Sequence, residues 1–349
     1  MKGKNKILST ISVSIFILVS LLIEVLSGCN GGCNHPAPPP TTDTTHPKPS
    51  GIVIPAFRAD SAYAYVKKQV DFGPRTPGSK SHEECLQFIL NELKADSLRV
   101  TVQKSSAKTF DGKTFEFENI IASTQPSNPT RIFLSTHWDT RPFADADSVN
   151  PMGNFDGADD GGSGVAVLLE VARHLHSAKI PIGVDLVFFD LEDYGQEAND
   201  GKFPRMPDSW CLGSQYWSKN LPTGYSPEFG ILLDMVGAKN AVFPREGTSM
   251  QYAPDIVKKV WDLAAKIGYS SYFTQDETGP TTDDHTYINE ITKIPTIDIV
   301  HYDMARENYP YFHHCHSDKL DIIDTATLHM VGRLVMTVIY TENNGNMQP

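Results

Sequence analysis

Basic side chains are the first shortage in this 349-residue chain, where 30 Lys plus Arg face 42 Asp plus Glu for a net charge of -12. That balance repels nucleic acid and anionic membrane surfaces, so no nucleic-acid partner is expected and a solvated acidic surface is the plain reading. Cysteine is also scarce. The five thiols, Cys29, Cys33, Cys85, Cys211 and Cys315, are spaced too irregularly for a small disulfide-stapled domain, which leaves any pairing open. No Pro/Gly-rich linker interrupts the chain after residue 51. The roughly 300 residues beyond it are therefore expected to form one domain rather than two.

What is present begins with an address. Lys2, Lys4 and Lys6 precede the apolar run ILSTISVSIFILVSLLIEVL, which ends in Leu26-Ser27-Gly28-Cys29. This is the layout of a secretory signal peptide, and its last four residues are similar to a bacterial lipobox, in which the cysteine thiol takes the lipid. A plain transmembrane anchor would also suit an apolar run of about 20 residues, but it gives no reason for Cys29 to follow Leu-Ser-Gly. Residues 1–28 are thus read as a lipoprotein signal peptide. Residues 29–50, which include NHPAPPPTTDTTHPKPS, are read as an extended tether, and residues 51–349 as the folded domain. The expected location is outside the cytoplasm, on a bacterial membrane through lipid on Cys29, facing the periplasm.

Beyond Gly51, helical spacing of apolar residues marks Ser61 to Val70 and Ser81 to Lys94. RVTVQ and FEFENIIAST read as antiparallel strands. Strand and helix then alternate: RIFLST, SGVAVLLEVARHLH, VDLVFFD, Leu212 to Lys219, GILLDMV, Pro254 to Lys266, TIDIV, and a final helix after Asp321. The alternation predicts a three-layer α/β fold, a mixed but mostly parallel central sheet with helices on both faces.

Ligands of such sheets lie beyond the carboxyl ends of the strands. There His137 and Asp139 follow RIFLST, Glu192 and Asp193 follow VDLVFF, Asp234 ends GILLD, and the loop bearing His316 follows TIDIV, while Asp160 stands in DGADDGGSG before a helix. Singly each is ordinary: Asp160 a helix N-cap, Asp234 a strand-end acid, His313 to His316 a surface loop. Jointly, carboxylates and imidazoles at one sheet edge need a positive charge among them, and Asp, Glu and His around an open position suit a hydrolytic zinc centre.

His137-Trp138-Asp139, Gly157 to Gly164, Glu192-Asp193, Leu233-Asp234-Met235 and His316-Ser317 with Lys319, in that order, resemble the zinc aminopeptidases of the M28 type. Within that superfamily the chain looks most like the glutaminyl cyclases of the animal-type fold in their bacterial form, across roughly residues 60 to 340. A di-zinc aminopeptidase would use His137, Asp160, Asp193, Asp234 and His316 as ligands. The resemblance to the cyclases implies instead one zinc per chain, on Asp160, Asp193 and His316, with Glu192 as general acid/base and Asp234 and Asp283 in a carboxylate network around it. Asp283 in Thr282-Asp283-Asp284-His285 is the branch-marking acid, because aminopeptidases of this type usually carry Ser before Asp-His.

The implied reaction converts the N-terminal glutamine of peptides and proteins to pyroglutamate with release of ammonia. The animal cyclases have Glu where Asp193 stands, Trp where Cys315 stands and Phe where Tyr311 stands, so the substrate pocket is expected to be built differently. Tyr311, Trp210 and Trp138 are its candidate residues, with core packing the ordinary alternative for the two tryptophans. A monomer is expected. A non-catalytic binding domain on the same fold is the contrasting class, disfavoured because none of the ligands or the base is missing.

Overall fold

The structure, a computed structural model, describes residues 53–175 and 180–342, so the expected signal peptide and tether lie outside the described residues. The elements follow in the order α1 (Ala59–Phe72), α2 (Lys80–Ala95), β1 (Arg99–Lys108), β2 (Thr114–Ser123), β3 (Arg131–His137), α3 (Gly162–Leu175), β4 (Gly183–Phe189), α4 (Leu212–Lys219) and β5 (Gly230–Asp234). Then come β6 (Phe243–Arg245), α5 (Gly247–Tyr252), α6 (Pro254–Lys266), β7 (Phe273–Glu277), α7 (Asp284–Thr292), β8 (Thr296–Val300) and α8 (Thr325–Thr341). The six-stranded sheet runs β1-β2-β4-β3-β5-β8. β1 and β2 pair antiparallel with each other, as does β2 with β4, while β4, β3, β5 and β8 run parallel. The sheet is therefore mixed and mostly parallel, as the alternation predicts.

The reason lies in the apolar runs. Every residue of β3, β4, β5 and β8 is buried, so these strands are covered on both faces, the condition for a parallel sheet. Alternate side chains serve opposite layers. Ile132, Leu134, Val184, Leu186 and Phe188 join the large core with α1, α3 and α8, whereas Phe133, Val187 and Phe189 pack on Trp217 of α4 and Ile288 of α7. Burying each such side chain contributes about 1.5–3 kcal/mol, which holds the strand ends at fixed height. β6 and β7 form a separate two-stranded parallel sheet that the pattern of the chain does not announce. Among the described residues no helix is long and apolar enough to cross a membrane, and Cys85, Cys211 and Cys315 are buried, unpaired thiols.

Candidate metal centre

The carboxyl ends of the parallel strands open into a cavity of about 370 Å³ lined by Asp160, Glu192, Asp193, Glu197, Asp234 and Asp283, with His313 and His314 and no Lys or Arg. β3 ends in His137 and leads into Asp139. A turn with Leu191 in the left-handed region (φ 52) swings Glu192 and Asp193 over the end of β4. Left-handed backbone also occurs at Met235 (φ 48), Cys211 (φ 57) and His314 (φ 52). Such conformations are costly for side-chain-bearing residues and persist only where the surroundings enforce them.

Two buried acids pin the carboxylate-bearing turns. Asp139 accepts the backbone N–H groups of Glu192 at 3.1 Å and Asp193 at 3.2 Å, and Asp318 accepts those of Asp159 at 2.8 Å and Asp160 at 3.1 Å. Gly161 is required beside them: its φ is +74 and a Cβ there would stand 2.8 Å from the carbonyl oxygen of Asp139. Asp193 Oδ2 accepts the Arg141 backbone N–H at 2.8 Å, which leaves Oδ1 facing the cavity, 3.0 Å from His314 Nε2. His314 Nε2 also lies 3.7 Å from Asp160 Oδ2, an oxygen that is buried without a hydrogen-bond partner. On its other side His314 Nδ1 is 3.5 Å from Asp145, a carboxylate clamped by the Arg141 guanidinium at 3.0 Å.

Asp160, Asp193 and His314 suit a zinc ion. Bonds of about 2.0–2.2 Å in a tetrahedron put neighbouring ligand atoms roughly 3.3–3.6 Å apart, and the observed 3.0 and 3.7 Å fall on either side of that. The orphaned Asp160 oxygen and a surplus of acids over bases also favour a cation there. A second group of possible ligands adjoins it: His137 Nε2 is 3.1 Å from Asp160 and 3.3 Å from Asp234.

Charge and burial set the protonation tendencies. Burial pushes Glu192 well above the usual carboxylate range, and the neighbouring charges of Asp193 and Asp283 push it further, against the pull of His137. Asp283 is raised to about 6, by burial and then by Asp234. Asp193 goes the other way: burial opposes its ionisation, but His314 and Arg141 outweigh it and hold the carboxyl low. Burial works against the charged form of His314 too, yet Asp193 and Asp145 raise it to about 9. Side-by-side acids in one turn are thus driven apart, Asp193 toward the anion and Glu192 toward a higher proton affinity, as befits a base.

Several expectations need correction. The histidine that joins Asp160 and Asp193 is His314, not His316, whose Nδ1 instead lies 3.0 Å from Asp147 on the protein's flank. An extended chain through His313 to His316 would alternate its side chains, but the segment is a run of turns, with the N–H of Cys315 donating to the Phe312 carbonyl and that of Asp318 to the Cys315 carbonyl. Trp138 is fully buried, stacked 4.1 Å from the His82 ring, and donates its indole N–H to the Glu118 carbonyl at 3.2 Å; it belongs to the core. Tyr311 is 57% exposed and packs edge-on against Phe312, outside the cavity lining, where Tyr309 stands instead. Trp210 does line the cavity. Its ring stacks 6.0 Å from that of His314 at 10°, lies under the Arg141 guanidinium, and rests on Gly195, where any Cβ would collide with it.

Asp139, Arg141, Asp318, Cys211 and Tyr309 carry no assigned role in the sequence-based expectations. Cys211 donates its S–H to Glu192 Oε1 at 3.1 Å and its backbone N–H to the Glu192 carbonyl at 2.8 Å. Asp283 caps α7, accepting from the backbone N–H of Asp284, and still lines the cavity.

Comparison with known proteins follows the same lines. The sequence model of peptidase family M28 matches residues 119–339. A glutaminyl cyclase of Bacteroides thetaiotaomicron, solved with N-acetylhistamine bound, is 46% identical over 83% of this chain and 100% of that one, with a TM-score of 0.80. A Zn-dependent exopeptidase of Parabacteroides distasonis is 44% identical over 83% and 100%, also with a TM-score of 0.80. Aminopeptidase YwaD of Bacillus subtilis is 26% identical over 282 residues, which are 76% of this chain but only 54% of that longer relative.

Proposed function

The chain belongs to peptidase family M28, a match spanning residues 119–339, and from that premise we propose that it is a glutaminyl-peptide cyclotransferase that closes the N-terminal glutamine of peptides and proteins to pyroglutamate. The observation that carries this reading is the approach of Asp283 to the base: single ligand-type atoms of Glu192, Cys211 and Asp283 lie within 4.8 Å of one another. The likeness to the Bacteroides thetaiotaomicron glutaminyl cyclase supports it.

Asp160, Asp193 and His314 would hold one zinc ion, which supplies a Lewis acid for the carbonyl of the glutamine side-chain amide. Glu192 takes a proton from the substrate's α-amine as the amine nitrogen bonds to the side-chain carbonyl carbon. It then returns that proton to the departing amide nitrogen, which leaves as ammonia, and no water is consumed. Asp283, with Asp234 acting on it in turn, sets negative charge beside the Glu192 carboxyl, which strengthens Glu192 as the base that takes the proton. Trp210 and Tyr309 wall the cavity where a short side chain would sit. The Cys29 lipid would tether the enzyme outside the cytoplasm; replacing Cys29 by Ala should abolish incorporation of labelled fatty acid.

A second reading, a di-zinc aminopeptidase, is favoured by the group His137, Asp160 and Asp234, whose ligand atoms also lie within 4.8 Å of one another. Elemental analysis separates the two, with about one tightly held zinc expected for the cyclase and two for the aminopeptidase.

A further inference from the structure

The cavity over the candidate zinc ligands does not end at its own rim. Glu197, Asn308, Tyr309, His313 and His314 line it and also line a second, larger depression of about 700 Å³ beside it. The outer depression has a different character. Phe110, Phe143 and Phe203, all half-buried, and Met152, 67% exposed, contribute to its wall. The rings are set by one another: Phe110 meets Phe203 edge-on at 5.6 Å, and Phe110 and Phe143 pack on Tyr194 at 6.1 and 5.8 Å. Its charges are largely matched among themselves, Lys113 with Asp111 at 2.9 Å and Arg141 with Asp145 at 3.0 Å, which leaves apolar surface as the feature that discriminates.

We propose that this depression receives the residues that follow the first one in a polypeptide substrate and that it selects a large apolar side chain there. The inference rests on the proposed function in one respect, that a chain's N-terminal residue occupies the inner cavity. A chain that leaves across the shared wall, at roughly 3.3 Å per extended residue, brings its second to fourth residues into the outer depression. Polar backbone can be satisfied along Asn308 and Glu197 while the Phe110, Phe143 and Phe203 rings take an apolar side chain out of water. Full burial of one Leu or Phe in place of Ala corresponds to about a tenfold gain in affinity.

The test uses Gln-Ala-Ala-Ala amide and derivatives with Phe, Leu or Asp at the second, third or fourth position. KM and kcat are read by ammonia release, and the pyroglutamyl counterparts are titrated calorimetrically, a readout that needs no turnover. Phe or Leu at one of these positions should lower both KM and Kd about tenfold relative to Ala, with Asp giving no gain. The gain should shrink to less than twofold in Phe203→Ala and in Phe110→Ala and survive in Phe203→Leu. Equal Kd values across the series, an absence of measurable binding, or a preference that persists in both alanine variants would overturn the proposal. Failure of every glutamine peptide to release ammonia would refute the proposed reaction instead, while the calorimetric series would still decide the groove.

Discussion

His314 Nε2 stands 3.0 Å from Asp193 Oδ1, and the rest of the site is arranged to keep it there. Asp145 holds the far ring nitrogen, Arg141 holds both Asp145 and Asp193, and Trp210 lies flat along the imidazole. Outer partners of this kind orient a ligand and raise its basicity. His314→Ala should therefore release the zinc, whereas His316→Ala, which loses only the flanking contact to Asp147, should keep it. Zinc per chain after dialysis reads the difference, and retention in the first variant with loss in the second would reverse the assignment.

Asp283 has two tasks that one substitution can separate. Asn caps a helix as well as Asp does, so Asp283→Asn should leave melting temperature and zinc content unchanged. It removes the negative charge that bears on Glu192, and kcat should fall on the order of a hundredfold, the scale of a disabled acid/base system. Near-normal ammonia release from a well-folded, zinc-loaded variant would reduce Asp283 to a cap.

The Cys211 thiol sits 3.1 Å from Glu192 Oε1, and burial, reinforced by the charge of Glu192, keeps it protonated and hence a donor. Cys211→Ala removes that donor and should lower kcat about tenfold with KM little changed, consistent with loss of one hydrogen bond to a charged group. Cys211→Ser restores an O–H and should recover most of the rate. Equal losses in both variants would mean that the thiol only fills space.

Much of this site was legible because Glu192, Asp193 and Asp234 stand at the ends of strands whose apolar runs announce them, and Asp160 stands just before α3. Two-sided burial gives β3, β4, β5 and β8 unmistakable patterns, and Asp160, Glu192, Asp193 and Asp234 fall where those strands and the following helix say they should. His314 was not legible in the same way. Three imidazoles among four consecutive residues offer no periodicity that tells which one a run of turns directs inward. Asp139 and Asp318 act by accepting backbone N–H groups 53 and 159 residues away, relationships that only the folded chain creates. The short β6, Phe243–Arg245, and the largely polar β7, FTQDE, carry too few apolar positions to be recognised as strands.

Glu246 ties the cavity wall to stability. Its carboxylate accepts from the backbone N–H groups of Thr248, Ser249 and Thr281 and pairs with His285 at 2.9 Å. Burial alone would raise its pKa, but His285 and the capped amides hold it at about 2, against an ordinary 4.5. A carboxyl depressed on folding stabilises the protein fully above its unfolded pKa and loses that contribution as pH falls from about 4.5 toward 2. At about 1.4 kcal/mol per unit the contribution is about 3 kcal/mol. The stability gap between wild type and Glu246→Gln, measured by urea unfolding, should thus be widest at pH 6 to 7 and narrow toward pH 3. A gap independent of pH would show that the carboxylate's charge is not what matters.

The most direct test of the central claim offers purified protein an N-terminal glutamine peptide and a leucine amide in parallel, with ammonia, pyroglutamyl product and free leucine all measured. The arrangement of Glu192 beside Asp283 predicts stoichiometric ammonia and pyroglutamyl peptide from the first and no leucine from the second. Release of free leucine, with the glutamine peptide shortened by one residue rather than cyclised, would contradict the account and establish the aminopeptidase.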